Sequence, residues 1–345
     1  MTQSGPASPV SAAPRKAARS SGCLKAIIIA AAIPIGLILA GIIYQAVASS
    51  VDAGRFPPPG RMVDVGGYNM HLYCIGENVQ GSPTIVLDAS YPATVSSWVW
   101  IQPQLAAETR VCSYDRAGEG WSDPSPAEPT MQSMASELHA LLENSGETGP
   151  YILVGHSWGG AVTRLFAHQF PEEVSALVWI EATHPDTWIR QGEVETTLGG
   201  ISPEMIAGIP SLTSVGLFRL LPSLRGDWGI VPGLPPQQQG ELTAYFNTRK
   251  WADHIVAVEK ALPESLTQLR SADDLGDVPL FIIVGGAGND ETAMELQREL
   301  GALSSNSREF VVDGADHSSL VHEEEFARQT GEIILQMLVL LQDEN

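Results

Sequence analysis

The run Tyr151-Ile-Leu-Val-Gly155-His156-Ser157-Trp158-Gly159-Gly160 places a serine between two glycines at G-x-S-x-G spacing. A serine hydroxyl can attack a carbonyl carbon when a tight turn lifts it clear of its neighbours. Gly155 and Gly159 would let the preceding strand and following helix approach closely. The amides at the start of that helix would face the serine, which suits a developing oxyanion. Small residues recur by chance, so the triplet alone is weak. With an apolar strand before it and a helix after it, the motif predicts Ser157 as a nucleophile.

A serine nucleophile needs a base, and in this arrangement the chain order is serine, acid, histidine. His317, in Val312-Asp-Gly-Ala-Asp-His-Ser-Ser-Leu320, follows the last strand-like segment in a glycine-containing loop that could deliver an imidazole. His322 opens the final helix before three glutamates, and His156 would point away from the serine. Two carboxylates compete to orient His317. Glu181 lies in Val178-Trp-Ile-Glu-Ala-Thr-His-Pro185, and Asp290 in Val284-Gly-Gly-Ala-Gly-Asn-Asp290. Both follow a strand at its carboxyl end, where open parallel sheets place their sites. The oxyanion donors expected are the amides of Trp158 and Tyr91; Pro92 has no N–H to offer. No metal or cofactor is called for, and three cysteines form no metal-binding pattern.

The elements that must position these residues read along the chain as follows. Residues 1–25 form a Ser-, Ala- and Pro-rich basic tail without apolar periodicity, expected to be disordered. Residues 26–44 carry no charge, and a span over 26–48 could cross about 30 Å of hydrocarbon. The positive residues precede it, so the tail should stay cytoplasmic and the domain face out, as a single-pass membrane protein. A cleaved signal ending near Ala46-Val-Ala48, giving a secreted protein, is the alternative. Residues 49–60, with Pro57-Pro-Pro59, form a stiff linker. From 61 to 345, strand-like segments at 61–65, 68–75, 84–87, 110–114, 151–154, 176–180, 279–284 and 309–312 alternate with helices at 131–144, 159–169, 291–303 and 323–341. That order predicts an α/β fold with a mostly parallel sheet covered on both faces. Between about 187 and 272 the alternation stops, which marks a helical cap insertion. Its apolar residues, among them Trp188, Met205, Phe218, Tyr245 and Trp251, suggest a pocket for an apolar acyl substrate.

Lys plus Arg number 19 and Asp plus Glu 40, giving −21; four of the bases lie in the first 25 residues, leaving −25 for the rest. A field of that sign repels phosphate backbones, so nucleic acid is excluded as a partner.

These motifs, with Tyr114-Asp-Arg-Ala-Gly-Glu-Gly-Trp-Ser122, resemble the α/β-hydrolase fold family of the fold-1 type over residues 61–345. The resemblance implies an eight-stranded sheet with its second strand antiparallel and a cap after the sixth strand. Two positions depart from the family. Asp88-Ala89 stands where His-Gly is usual after the third strand, and Asp290 is one residue out of the usual Gly-x-x-Asp register after the seventh. Ile180-Glu-Ala-Thr-His-Pro185 is similar to the place where some haloalkane dehalogenases carry their acid, which ranks Glu181 first. A serine nucleophile implies acyl transfer through an acyl-enzyme rather than the alkyl-ester chemistry of an aspartate nucleophile. The fold also makes the second and fourth strands neighbours, so Cys74 and Cys112 could pair in an oxidising space. Two other functions are compatible with the fold. One is an aminopeptidase like the proline iminopeptidases, using a cap acid such as Glu193 or Glu195; the other is a non-catalytic binding scaffold.

Overall fold

Four strands with every side chain buried form the middle of the sheet: β3 (Ile85–Asp88), β4 (Val111–Tyr114), β5 (Tyr151–His156) and β7 (Leu280–Gly285). β6 (Val174–Ile180), between β5 and β7, is almost as fully buried. Continuous apolar runs of this kind can be satisfied only when both faces of a parallel sheet are covered. The computed structural model describes residues 1–2, 5, 20–80, 82–190, 202–221, 231–272 and 274–343. With the edge strands β1 (Arg61–Asp64) and β8 (Ser307–Val312), and β2 (Asn69–Ile75) beside β1, the sheet runs β1-β2-β4-β3-β5-β6-β7-β8. β2 pairs antiparallel with β1 and β4, and every other pairing is parallel. The eight strands, the antiparallel second strand and the β2–β4 neighbourhood all agree with what the family resemblance implied.

Alternate side chains of one strand feed opposite cores. Leu153 of β5 and Trp179 of β6 pack with α3 (Met131–Ser145) and α4 (Trp158–Gln169). Val154 and Val178 face the other layer, built from α2 (Gln102–Leu105), α11 (Ser319–His322) and α12 (Glu324–Asp343). Cys74 and Cys112 lie opposite each other in the β2–β4 register, and their sulfurs are bonded.

Between β6 and β7 lie α5 (Thr187–Arg190), α6 (Pro203–Ser214), α7 (Leu217–Leu220), α8 (Pro236–Phe246) and α9 (Arg249–Ser271), before α10 (Glu291–Gly301). The cap has its own core of Ile206, Ile209, Phe218, Tyr245, Phe246 and Trp251. Phe218, Tyr245 and Trp251 pack in that cap core, and Met205 is exposed. The second half of α9, from Val258 through Leu269, joins the main core beside α3, whereas its first half packs within the cap.

The N-terminal segment differs from expectation as well. α1 runs unbroken from Ser20 to Arg55, so 49–55 continue the helix and only the residues after it form the linker. The charge-free run leads into Ala46-Val-Ala-Ser-Ser, small residues that a helix accepts. Most of the expected disordered tail lies outside the described residues. The stretch Lys25–Arg55 is long and apolar enough to cross a membrane, and its most apolar window is not buried by the rest of the chain.

Candidate active site

Ser157 sits at the hinge between β5 and α4 with φ 54°. The glycines make that turn possible by absence of side chain: a Cβ on Gly155 would collide with the backbone of Gly160. One on Gly159 would collide with the Asp88 carbonyl, so α4 begins in contact with the loop after β3. The strained serine is tied across the sheet: its amide donates to the Ile180 carbonyl (3.0 Å), and its own carbonyl accepts from Thr183 (2.9 Å).

Glu181 is the first residue after β6, at φ 40°. Among the described residues, Ser157 and Glu181 are the two non-glycine positions with positive φ. Such strain persists where surrounding structure imposes it, and it concentrates at functional sites. Glu181 Oε2 accepts from Nδ1 of His317 at 2.7 Å. Oε1 accepts from the Gly285 amide (2.7 Å) and the Asn289 side chain (2.6 Å). Burial pushes the Glu181 carboxyl up. The His317 hydrogen bond and charge, with the Gly285 and Asn289 donors, outweigh burial and hold the pKa below the ordinary value. A carboxylate buried, ionised and fixed by two other donors can hold one imidazole tautomer.

The structure therefore separates the two candidate acids. Asp290 caps α10, accepting from the Ala293 amide at 2.8 Å, and is not joined to His317. The Gly-x-x-Asp register is filled by Asn289, in Gly286-Ala-Gly-Asn289, and Asn289 donates to Glu181. Asn289 was missed in the sequence, although that displaced register was the signal for it.

His317 is half exposed, at 52 %, and lines a cleft of about 320 Å³ with Ser157, Glu181, Thr183, Trp188 and Asn289. Behind it lies a group the sequence did not announce. His156 points away from the cleft and its Nε2 donates to the His317 carbonyl (3.0 Å). Its ring lies 4.8 Å from the His317 ring and 6.0 Å from that of His322. Burial, then the neighbouring His317 and His322, push the His156 pKa well below its usual value. Burial likewise lowers His322 to about 4. Both are neutral props beneath the His317 loop.

The unusual Asp88-Ala89 loop has an explanation in Tyr114-Asp-Arg116. Asp88 accepts from the Tyr114 hydroxyl (2.8 Å) and pairs with the buried Arg116 guanidinium. Arg116 also donates to the carbonyls of Ala89 (2.7 Å) and Ser90 (2.9 Å) and pairs with Glu119 (3.0 Å). One arginine thus turns consecutive carbonyls of this loop inward. The Tyr91 ring rests 5.5 Å from that of Trp158, so the two residues expected to supply oxyanion amides are neighbours. As a helix's first residue, Trp158 has no intrahelical partner for its N–H. Among the described residues, the one grouping of metal-type donors is Cys74, Cys112 and Glu147, whose sulfurs are bonded to each other.

Residues 85–329, more than two thirds of the chain, match the alpha/beta hydrolase family. The chain belongs to that family. Among curated relatives, YbdG of Bacillus subtilis is 26% identical over 183 residues, covering 52% of this chain and 54% of its own. The 2-hydroxy-6-oxo-2,4-heptadienoate hydrolase of Pseudomonas putida is 26% identical over 214 residues, 61% of each chain. The chain thus spans little more than half the length of these relatives. Among solved structures, a serine hydrolase involved in carbazole degradation matches with TM-score 0.59 over 81% of this chain and 98% of its own. At 18% identity that likeness concerns the fold alone.

Proposed function

We propose that this family member is a serine hydrolase acting on an ester or related acyl substrate through an acyl-enzyme. The observation that carries the reading is the 2.7 Å contact between Glu181 and His317 at a cleft that Ser157 also lines. In the proposed reaction, Ser157 Oγ bonds to the acyl carbon while its proton passes to His317 Nε2. His317 returns that proton to the leaving alkoxide as the ester bond breaks. Water, deprotonated by the same imidazole, then releases the acid and restores the serine. Glu181 holds the Nδ1–H tautomer, and the amides of Trp158 and Tyr91 hold the oxyanion. The helix of residues 26–48 is read as a membrane anchor, with the catalytic domain on the extracytoplasmic side. The aminopeptidase alternative relied on Glu193 and Glu195, which lie outside the described residues, and no other observation favours it.

The test uses the full chain in membranes and a fluorophosphonate probe, followed by p-nitrophenyl esters of increasing chain length. The wild type should label and turn over esters, and Ser157→Ala should do neither. Equal labelling of both proteins would remove the serine mechanism.

A further inference from the structure

One face of α1 is not apolar. Gly41, Gln45, Ala48, Ser49 and Asp52 recur at helical spacing, and among the described side chains of α1 that stripe is the part shielded from solvent. The cap covers it. A Cβ on Gly41 would lie 2.5 Å from the Val215 carbonyl, and one on Gly216 would lie 2.9 Å from the Tyr44 ring. Gln45 donates to the Asn247 carbonyl (2.5 Å). Arg219 donates to Gln45 (2.9 Å) and Ser49 (3.3 Å) and pairs with Asp52 (2.5 Å). The anchor and the cap are therefore one packed unit, joined through the corner between α6 and α7.

That joint fixes the cap's depth. The strongly apolar run 26–44 is about 28 Å long at 1.5 Å per residue, which fills the hydrocarbon of a bilayer. Gly41 lies three residues, about 4.5 Å, inside its C-terminal end. A corner resting on Gly41 cannot stand clear of the membrane when the run occupies it. The chemistry of the corner agrees. Residues 205–218 carry no charge, and Arg219 turns its guanidinium into the α1 interface. Leu212, Leu220 and Leu221 are exposed.

We propose that the α6–α7 corner is seated in the bilayer leaflet at the C-terminal end of α1, with lipid covering Leu212, Leu220 and Leu221. The proposal rests on the reading of α1 as a membrane span. It makes the cap an interfacial element, so that an acyl substrate dissolved in the leaflet meets the cap without first entering water.

The experiment uses the full chain with Cys23→Ser, its disulfide retained, in phosphatidylcholine vesicles. Nitroxides are attached singly at Leu220→Cys and Leu221→Cys. Ile35→Cys serves as the reference inside the span, and Val339→Cys as an exposed reference on α12. Collisions with oxygen and with a water-soluble nickel chelate are compared. Oxygen preference at 220 and 221, as at 35 and unlike 339, is the expected result. Chelate access at 220 and 221 with oxygen preference at 35 overturns the docking while leaving the anchor standing. Protection from both reagents at 220 and 221 means that protein covers them, which also overturns it. Chelate access at 35 removes the anchor reading and the proposal with it.

Discussion

Replacing Glu181 by glutamine tests the central assignment with almost no change in volume. The amide oxygen can still accept from Gly285 and Asn289, so the side chain has reason to stay in place. What changes is the group facing His317. An NH₂ pointing at Nδ1 demands an acceptor there and selects the wrong imidazole tautomer. The charge opposite the developing imidazolium is also lost. A carboxylate in 2.7 Å contact with the ring stabilises that cation by about 6 kcal/mol at an effective dielectric near 20. Half exposure of His317 screens the pair, which lowers the expected loss toward about 4 kcal/mol, or roughly 10³ in kcat. Asp290→Ala is the internal control. It removes the cap of α10, costing about 1 kcal/mol of stability, and should leave kcat within about threefold of wild type. The assay is kcat on a short p-nitrophenyl ester, with circular dichroism and thermal midpoints to confirm folding. If Glu181→Gln retained more than a tenth of wild-type kcat, or if Asp290→Ala lost the larger share, the acid would have been misassigned.

Three further outcomes follow from the same contacts. Asn289→Asp would set a second carboxylate beside Glu181 Oε1, where the donor now stands at 2.6 Å. The two carboxylates repel and compete for one proton, so kcat at neutral pH should fall about tenfold or more; unchanged activity at pH 7 would contradict the network. His322 stays neutral in the fold to about pH 4, whereas the unfolded chain protonates near 6.5. Between those values the unfolded state binds more protons, so stability is highest above pH 6.5 and falls toward pH 4, by about 3 kcal/mol in total. Urea midpoints at pH 7.5 and 4.5 should therefore lie closer together in His322→Gln, with His156 keeping its own share of the decline, and an equally steep decline in the variant would refute this origin. The Cys74–Cys112 bond closes a loop across 38 positions, so reduction should cost roughly 3–4 kcal/mol. A reductant should lower the urea midpoint of the wild type and leave that of Cys74→Ser with Cys112→Ser unchanged.

How much of this was legible in the sequence depended on what each residue must satisfy locally. Strands such as Tyr151–His156 and Leu280–Gly285 read directly, because burial on both faces demands an uninterrupted apolar run. The helix Arg249–Ser271 did not. Its first half serves the cap and its second half the main core, so the buried stripe changes partners midway, and Pro263 disguises it further. The choice between Glu181 and Asp290 stayed open because both follow sheet strands at the same edge. It turns on a positive φ at 181 and a helix cap at 290, and composition does not encode either. Arg116 was visible only as part of a motif; its hold on the carbonyls of Ala89 and Ser90 required the fold.

The two strained residues show where the precision of the site originates. Ser157 continues β5 and Glu181 continues β6, and these strands are paired in parallel, with His156 opposite Ile180. The Ser157 amide bonds the Ile180 carbonyl, and the Glu181 amide bonds the Ile283 carbonyl of β7. Each positive φ thus occurs one residue after a ladder that has already fixed the backbone on both sides. A left-handed conformation at a non-glycine residue costs of order 1–3 kcal/mol, and here the ladder sustains it. A one-residue slip of β6 against β5 would move Glu181 off His317 and turn its side chain to the other face. The separation of the Ser157 and Glu181 side chains is therefore set by sheet register. The cap, with its own core and its attachment to α1, is built apart from that register.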